Sequence, residues 1–361
     1  MTLFQLSVVG VYMPGLASLD ISYCHQVSDS GLLTLFASQD MSGKEDQRYG
    51  QCKKLSRLLV SGSQNITGKS ISQALLRLPL LAICDFPDTA ALVHQLVLDT
   101  ERENRMVLRS LYSGLESSQE SLAVSTLKCR AAEHVFIVLH PNQTADCLLS
   151  LLDLQTLMEL HIREEADDEN DCESGLMMEP VLARHGETLM SLNIAECHHI
   201  NVSLISHSCP SLIHLVLLWN KSYVSSDQRD KRPFCCLKTA SLAFLTQEDG
   251  DNISGREMSS SELSLLLSSP ALQSLKVAHS RNLTDLSLSS KYSFNSMMNL
   301  RNMELEHCHN ISFGGLEHIL ESLNSLDSVR LIKCEHITNR DIQKYQRKVK
   351  KLKWNIKIEW S

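Results

Sequence analysis

One frame of residues recurs along this chain and constrains its fold more than any other feature. Near the C-terminus it reads Leu300-x2-Met303-x-Leu305-x2-Cys308-x2-Ile311-Ser312, and 26 residues later Leu326-x2-Val329-x-Leu331-x2-Cys334-x2-Ile337-Thr338. The same spacing appears at Leu16-x2-Leu19-x-Ile21-x2-Cys24-x2-Val27-Ser28-Asp29 and at Leu189-x2-Leu192-x-Ile194-x2-Cys197-x2-Ile200. Copies that keep the apolar spacing and lose the cysteine start at Leu55, Leu78, Leu212, Leu237 and Leu272, with two more near Val124 and Leu157. That makes about eleven units, with starts mostly 23 to 39 residues apart. A period of this size marks a repeat array, in which no unit can bury its own apolar face and neighbours stack to form a continuous core.

The chemistry of the frame predicts a local structure. L-x2-L-x-L directs alternate leucines to one side of a short strand. The cysteine column takes a small side chain with a weak donor, which suits the bend where the strand ends. Ile or Val then returns to the core, and the following [ST]-D caps a helix such as 29–36 or 315–323.

The full frame, with a cysteine three residues ahead of the first leucine as at Cys52 and Cys209, resembles the cysteine-containing leucine-rich repeats. That subclass is best known from F-box/LRR proteins, the substrate receptors of cullin–RING ubiquitin ligases. The resemblance implies an α/β leucine-rich-repeat solenoid: a curved horseshoe with short parallel strands on its concave face and helices on its convex face. It also implies a protein partner on the concave face, substrate recognition for an SCF-type ligase, and a Skp-type adaptor and cullin engaged through an N-terminal segment. The alternative is a repeat scaffold unconnected with ubiquitin. No F-box precedes Leu16: Leu3-x2-Leu6-x-Val8 reads as the tail of an earlier, clipped repeat. The expected organisation is therefore a degenerate repeat over 1–15, leucine-rich repeats over 16–343 and a basic cap strand over 344–361.

Composition narrows the function classes. The 361 residues carry a net charge of −8, which disfavours non-specific nucleic-acid binding. No run of 18 apolar residues exists, so no membrane partner is expected. Twelve cysteines are scattered without a compact framework, and the N-terminal stretch lacks the basic start of a secretory signal. Reduced thiols in the cytoplasm or nucleus are the expectation. Seven N-x-[ST] sequons occur, at Asn65, Asn142, Asn201, Asn220, Asn252, Asn282 and Asn310. Asn65, Asn282 and Asn310 share one column of the frame, so the repeat itself accounts for them.

Insertions are expected near 38–51, 88–119, 164–174, 222–233 and 246–262. The second includes LVHQLVLDTERENRMVLRSL, which reads as one long helix. The third, EEADDENDCE, reads as a solvated acidic loop, because it lacks the central Gly and terminal Glu of a calcium loop. Histidines flank the cysteine column in Cys24-His25, Cys197-His198-His199, His307-Cys308-His309 and Cys334-Glu335-His336. A thiolate–imidazole zinc site is not expected, because each cysteine points inward while its neighbour points outward. Cys24, Cys197, Cys308 and Cys334 are assigned as structural repeat thiols, with no metal and no cofactor. Hydrolase, P-loop, dinucleotide-binding and metalloprotease motifs are absent, and the chain reads as a non-enzyme.

Binding is expected at the strand positions between the inward leucines. These are His161 and Arg163, His214, Val216 and Leu218, Lys276, Glu304 and Arg330. Trp219, beside the apolar pair Val216 and Leu218, either anchors a partner or packs at a loop root. The C-terminal alternation of Leu352, Trp354, Ile356, Ile358 and Trp360 with mainly basic residues predicts a strand that closes the last rung.

Overall fold

The computed structural model describes residues 3–36, 52–100, 106–114, 117–140, 145–165, 174–224, 232–245, 257–289, 297–321, 325–352 and 354–361. The fold is an α/β leucine-rich-repeat solenoid in which short parallel strands alternate with helices and turns. It comprises two compact units, Met1–Leu157 and Met158–Ser361. In the first unit β1 (Ser18–Asp20), β2 (Arg57–Leu59) and β3 (Ile83–Cys84) pair in that order, and β4 (Ser110–Ser113) pairs with β5 (His134–Leu139). In the second, β6 (Glu159–Glu164), β7 (Ser191–Ala195), β8 (His214–Leu218) and β9 (Thr239–Ala243) are followed by β10 (Ser274–Ala278), β11 (Asn302–Glu306), β12 (Ser328–Ile332) and β13 (Lys357–Trp360), each paired with the next.

All these pairs are parallel and in matched register. Leu217 lies between Ile194 and Leu242, and Val277 between Leu242 and Leu305. Each core column therefore stacks on the same column of the neighbouring rung. Leu192, Ile194, Leu215, Leu217 and Leu305 are fully buried as a result. Parallel strands need a crossover between them, and helices such as Val202–Ser208 and Ser260–Leu267 supply it. Their starts follow the expected chemistry. Asn201 accepts from the Leu204 N–H, and Ser259 with Glu262 forms a reciprocal capping box.

Polar side chains bracket one rung to the next. Asp29 accepts from the Thr67 N–H (2.7 Å), the Thr67 hydroxyl (2.6 Å) and the Ser70 hydroxyl (2.7 Å) of the following unit. Asp285 does the same for the Ser312 N–H (2.8 Å) and hydroxyl (2.6 Å). The sequon asparagines of this column are brackets too: Asn65 donates to the His25 carbonyl (2.6 Å) and Asn310 to that of Arg281 (2.7 Å).

Several expectations are corrected. The unit placed at Leu78 starts at Leu81. Leu58 pairs with Cys84, and the Leu81 N–H bonds the Leu78 carbonyl as the Leu55 N–H bonds that of Cys52, so Leu78 fills the Cys52 column. Nothing opens near Val124, which lies in the helix Gln119–Lys128; the unit starts at Ala132 and leads into β5. Within 88–119 a helix is described over Thr89–Thr100, but 106–109 are not helical and Ser110–Ser113 form a strand. Buried serines at 110 and 113 hid that strand from an apolar pattern.

The ends also differ from the expected pattern. The N-terminal L-x2-L-x-V is helical (Leu3–Tyr12), and Leu352 closes a helix, Asn339–Leu352, that buries Ile342, Tyr345 and Val349 at helical spacing. The closing strand is confined to Lys357–Trp360, and Trp360 stays 41% exposed. Glu164 is not part of a solvated loop: it is a buried strand residue that accepts from the Ser174 hydroxyl at 2.7 Å. The insertion 38–51 and, within the other expected insertions, residues 166–173, 225–231 and 246–256 lie outside the described residues.

Two outcomes follow for stability. Leu305→Ala removes a fully buried side chain and is expected to cost about 2–5 kcal/mol in urea denaturation. Burial is the largest influence on Asp29 and opposes its ionisation. The Ser70 and Thr67 hydrogen bonds and the nearby Lys69 outweigh it, so the folded carboxyl titrates below 3.8. A carboxyl depressed on folding stabilises the protein above its unfolded pKa and loses that contribution as pH falls through the folded one. Denaturation midpoints measured from pH 6 down to pH 3 should therefore fall below about pH 4, with a smaller fall in Asp29→Asn.

Candidate functional site on the outward strand face

Because side chains alternate along a strand, the leucine columns that fill the core leave two or three outward positions per rung. In the second unit the residues expected there are all outward. His161, Val216, Leu218 and Glu304 are half-buried; Arg163, His214, Lys276 and Arg330 are exposed. The matched register aligns them into rows that run from rung to rung.

The face has three regions. Around β6 and β7, His161 Nε2 lies 2.8 Å from Glu159, His161 Nδ1 lies 3.2 Å from the Asn193 amide, and Arg163 Nε donates to Glu196 at 3.2 Å. The middle rungs are apolar or small: Val216, Leu218, Ser241, Ala243 and Ala278. Over β10 to β13 the charges alternate in a chain. Lys276 Nζ meets Glu304 at 2.8 Å, Arg330 bridges Glu304 (3.3 Å) and Glu359 (2.9 Å), and Lys357 caps Glu359. These groups line a hollow of about 330 Å³, together with Ser274, Asn302 and Ser328. Each exposed pair adds little stability, so the chain of charges bears mainly on the hollow's electrostatic pattern.

A further column was not anticipated. The residue just before the cysteine column adopts a left-handed backbone at Tyr23, Gly62, Glu196, Trp219, His279, His307 and Lys333, with φ between 48° and 71°. The reason lies in the ladder. Trp219 N–H still bonds the Ala243 carbonyl (2.7 Å) and His307 N–H that of Ile332 (2.9 Å), while the chain turns out of the strand. Only Gly62 has the residue type that such a backbone favours, so composition gave no signal. This backbone, not a loop root, presents Trp219, which is 47% exposed beside Leu218.

A second omission lies in the first unit, where Tyr112 and Phe136 stack on adjacent strands with ring centroids 4.5 Å apart. It was hidden because 88–119 reads as an insertion.

The cysteine column does the work expected at the bend. The thiols of Cys308 and Cys334 point at strand carbonyls 3.5 to 3.6 Å away. Where the column holds another residue, stronger bonds replace the thiol. Asn220 accepts from the Cys197 N–H (3.0 Å) and donates to the Ile194 carbonyl (3.2 Å); Ser63 bridges the Cys24 N–H and the Ile21 carbonyl. Cys197, Cys308 and Cys334 are buried, whereas Cys24 is half-exposed. Burial pushes the Cys308, Cys209, Cys129 and Cys84 thiols up to about 12, far from the thiolate form that reacts or binds metal. Cys235 and Cys236 are exposed. Iodoacetamide labelling of native protein, read by peptide mass spectrometry, should modify Cys235 and Cys236 quickly and the four buried thiols only after denaturation.

No family model and no curated protein matches this sequence. Among solved structures, the fold is similar to a chain of the yeast Rad7–Elc1 complex. The likeness has a TM-score of 0.54 at 16% identity and covers 94% of this chain and 90% of that chain. It extends over nearly the whole length of both chains and concerns the fold alone.

Proposed function

We propose that this chain is a protein-binding module whose contact surface is the outward face of β6 to β13. The observation that carries this reading is the layout of that face: an apolar centre at Val216, Leu218 and Trp219 between two polar regions built on His161 and Arg163 and on Lys276, Glu304 and Arg330. Stable protein interfaces share this arrangement of a desolvated anchor within a charged rim, and tryptophan and arginine are frequent anchors. In this reading the module acts by recognition rather than catalysis.

The specific role in this reading is substrate recognition for a cullin–RING ubiquitin ligase. The cysteine-containing repeat frame supports it, as does a solved chain of this fold that is itself half of a two-protein complex. The adaptor is of the Skp or elongin type. The place of action is the cytoplasm or nucleus, a location supported by eleven cysteines that carry no disulfide among the described residues. Among those residues no helix is long and apolar enough to cross a membrane.

Affinity purification from proteasome-blocked cells, followed by mass spectrometry, tests both levels of the proposal. Recovery of an adaptor and a cullin supports the ligase role; stable partners without that machinery leave an interaction scaffold. Trp219→Ala is expected to reduce capture of the principal partner by at least about tenfold. Arg330→Glu, which sets like charges against Glu304 and Glu359, is expected to reduce it at low salt more than at high salt. Both side chains are exposed, so thermal midpoints should stay near wild type.

A further inference from the structure

Two adjacent rungs carry a further group of side chains, none of them among the contact residues named above. His279 follows β10 and His307 follows β11, both at the left-handed position, with φ of 60° and 50°. The ladder fixes their backbones: Ala278 pairs with Glu306, and the His279 N–H bonds the Glu306 carbonyl at 2.8 Å. Their imidazoles stack with centroids 4.6 Å apart and planes 15° from parallel. The Glu306 carboxylate belongs to the same group, since one ring nitrogen from each histidine and one Glu306 oxygen all lie within 4.8 Å of one another.

These are the ligand types of a borderline divalent metal: two imidazoles and one carboxylate, with positions left open. Bonds to zinc of about 2.0–2.2 Å place tetrahedral ligand atoms about 3.3 Å apart. The three donor atoms lie within 4.8 Å of one another, so the half-buried side chains must rotate closer together to close on an ion. No hydrogen bond or ion pair among the described residues competes for their side-chain donor atoms. Lys333, in the same column of the next rung, adopts the same left-handed backbone.

We propose that His279, His307 and Glu306 bind a divalent transition-metal ion of the zinc type on the outward side of the solenoid, with open positions for water or a donor from a docked partner. The site is independent of the interaction reading and of the cysteine column, whose thiols point the other way.

The test uses the purified full chain, stripped with chelator and dialysed. It is titrated calorimetrically with zinc chloride and spectroscopically with cobalt(II). The expected result is saturable binding of one ion per chain, a cobalt spectrum of nitrogen and oxygen ligands, and a higher thermal midpoint with zinc. Loss of a supporting partner alone weakens metal sites by about 10- to 100-fold, so His307→Ala and the near-isosteric Glu306→Gln should each weaken zinc binding by at least about tenfold. The double variant His279→Ala/His307→Ala should abolish it and His161→Ala should leave it unchanged, with metal-free midpoints near wild type. Absence of saturable binding overturns the proposal. So does binding that survives in the double variant, or a thiolate charge-transfer band, which would assign the ion to Cys235 and Cys236.

Discussion

A strand of five residues cannot bury its own apolar side, so each unit of this chain depends on a matched parallel register with its neighbour. A slip of one residue would turn the leucine columns outward and the charged columns inward. The register is held by the ladder and by contacts that only the correct alignment allows, such as Asp29 against Thr67 and Ser70, and Asp285 against Ser312. Close packing enforces it further. Gly186 lies so near the next turn that a Cβ would come within 2.0 Å of the Ser208 carbonyl.

From that alignment the outward face follows without further design. Whatever occupies the positions between the core columns is presented in rows, one rung apart, on a surface whose backbone is already satisfied. The chain uses this in two ways. Over the middle rungs it places small and apolar side chains and one tryptophan; over the last rungs it alternates lysine, glutamate and arginine so that neighbouring charges neutralise one another. A partner that docks there meets a preorganised surface and need not order it, which lowers the entropic cost of binding.

Much of this was legible in the sequence, because a leucine column repeated at a steady period has few physical readings. The cysteine copies located β1, β7, β11 and β12 directly, and the outward residues followed by counting from each leucine. Where legibility failed, the residues explain why. The frame at Leu81 was misplaced because Leu78 is just as apolar and stands three residues away, in a column where cysteine and leucine are interchangeable. β4 was lost because Ser113 stands at the core position that Ile137 fills in β5, and Ser110 adds a second buried serine to a four-residue strand. Glu164 reads as acidic loop but is buried against Ser174, a contact between residues on either side of an undescribed stretch. The His279, Glu306 and His307 group was missed because its members are distributed over two units, and only the register brings them together.

The left-handed column carries a consequence for the molecule as a whole. Glycine is the residue that this backbone accommodates without cost, and each other side chain there costs on the order of 1 kcal/mol. Among the described residues of the column that adopt this backbone only Gly62 avoids that cost, while tyrosine, glutamate, tryptophan, two histidines and lysine accept it. Robustness and surface identity are therefore opposed along a single line of residues. A version of this solenoid refined purely for thermal endurance would drift toward glycine at these rungs, and it would lose the aromatic and imidazole groups that mark its exposed side.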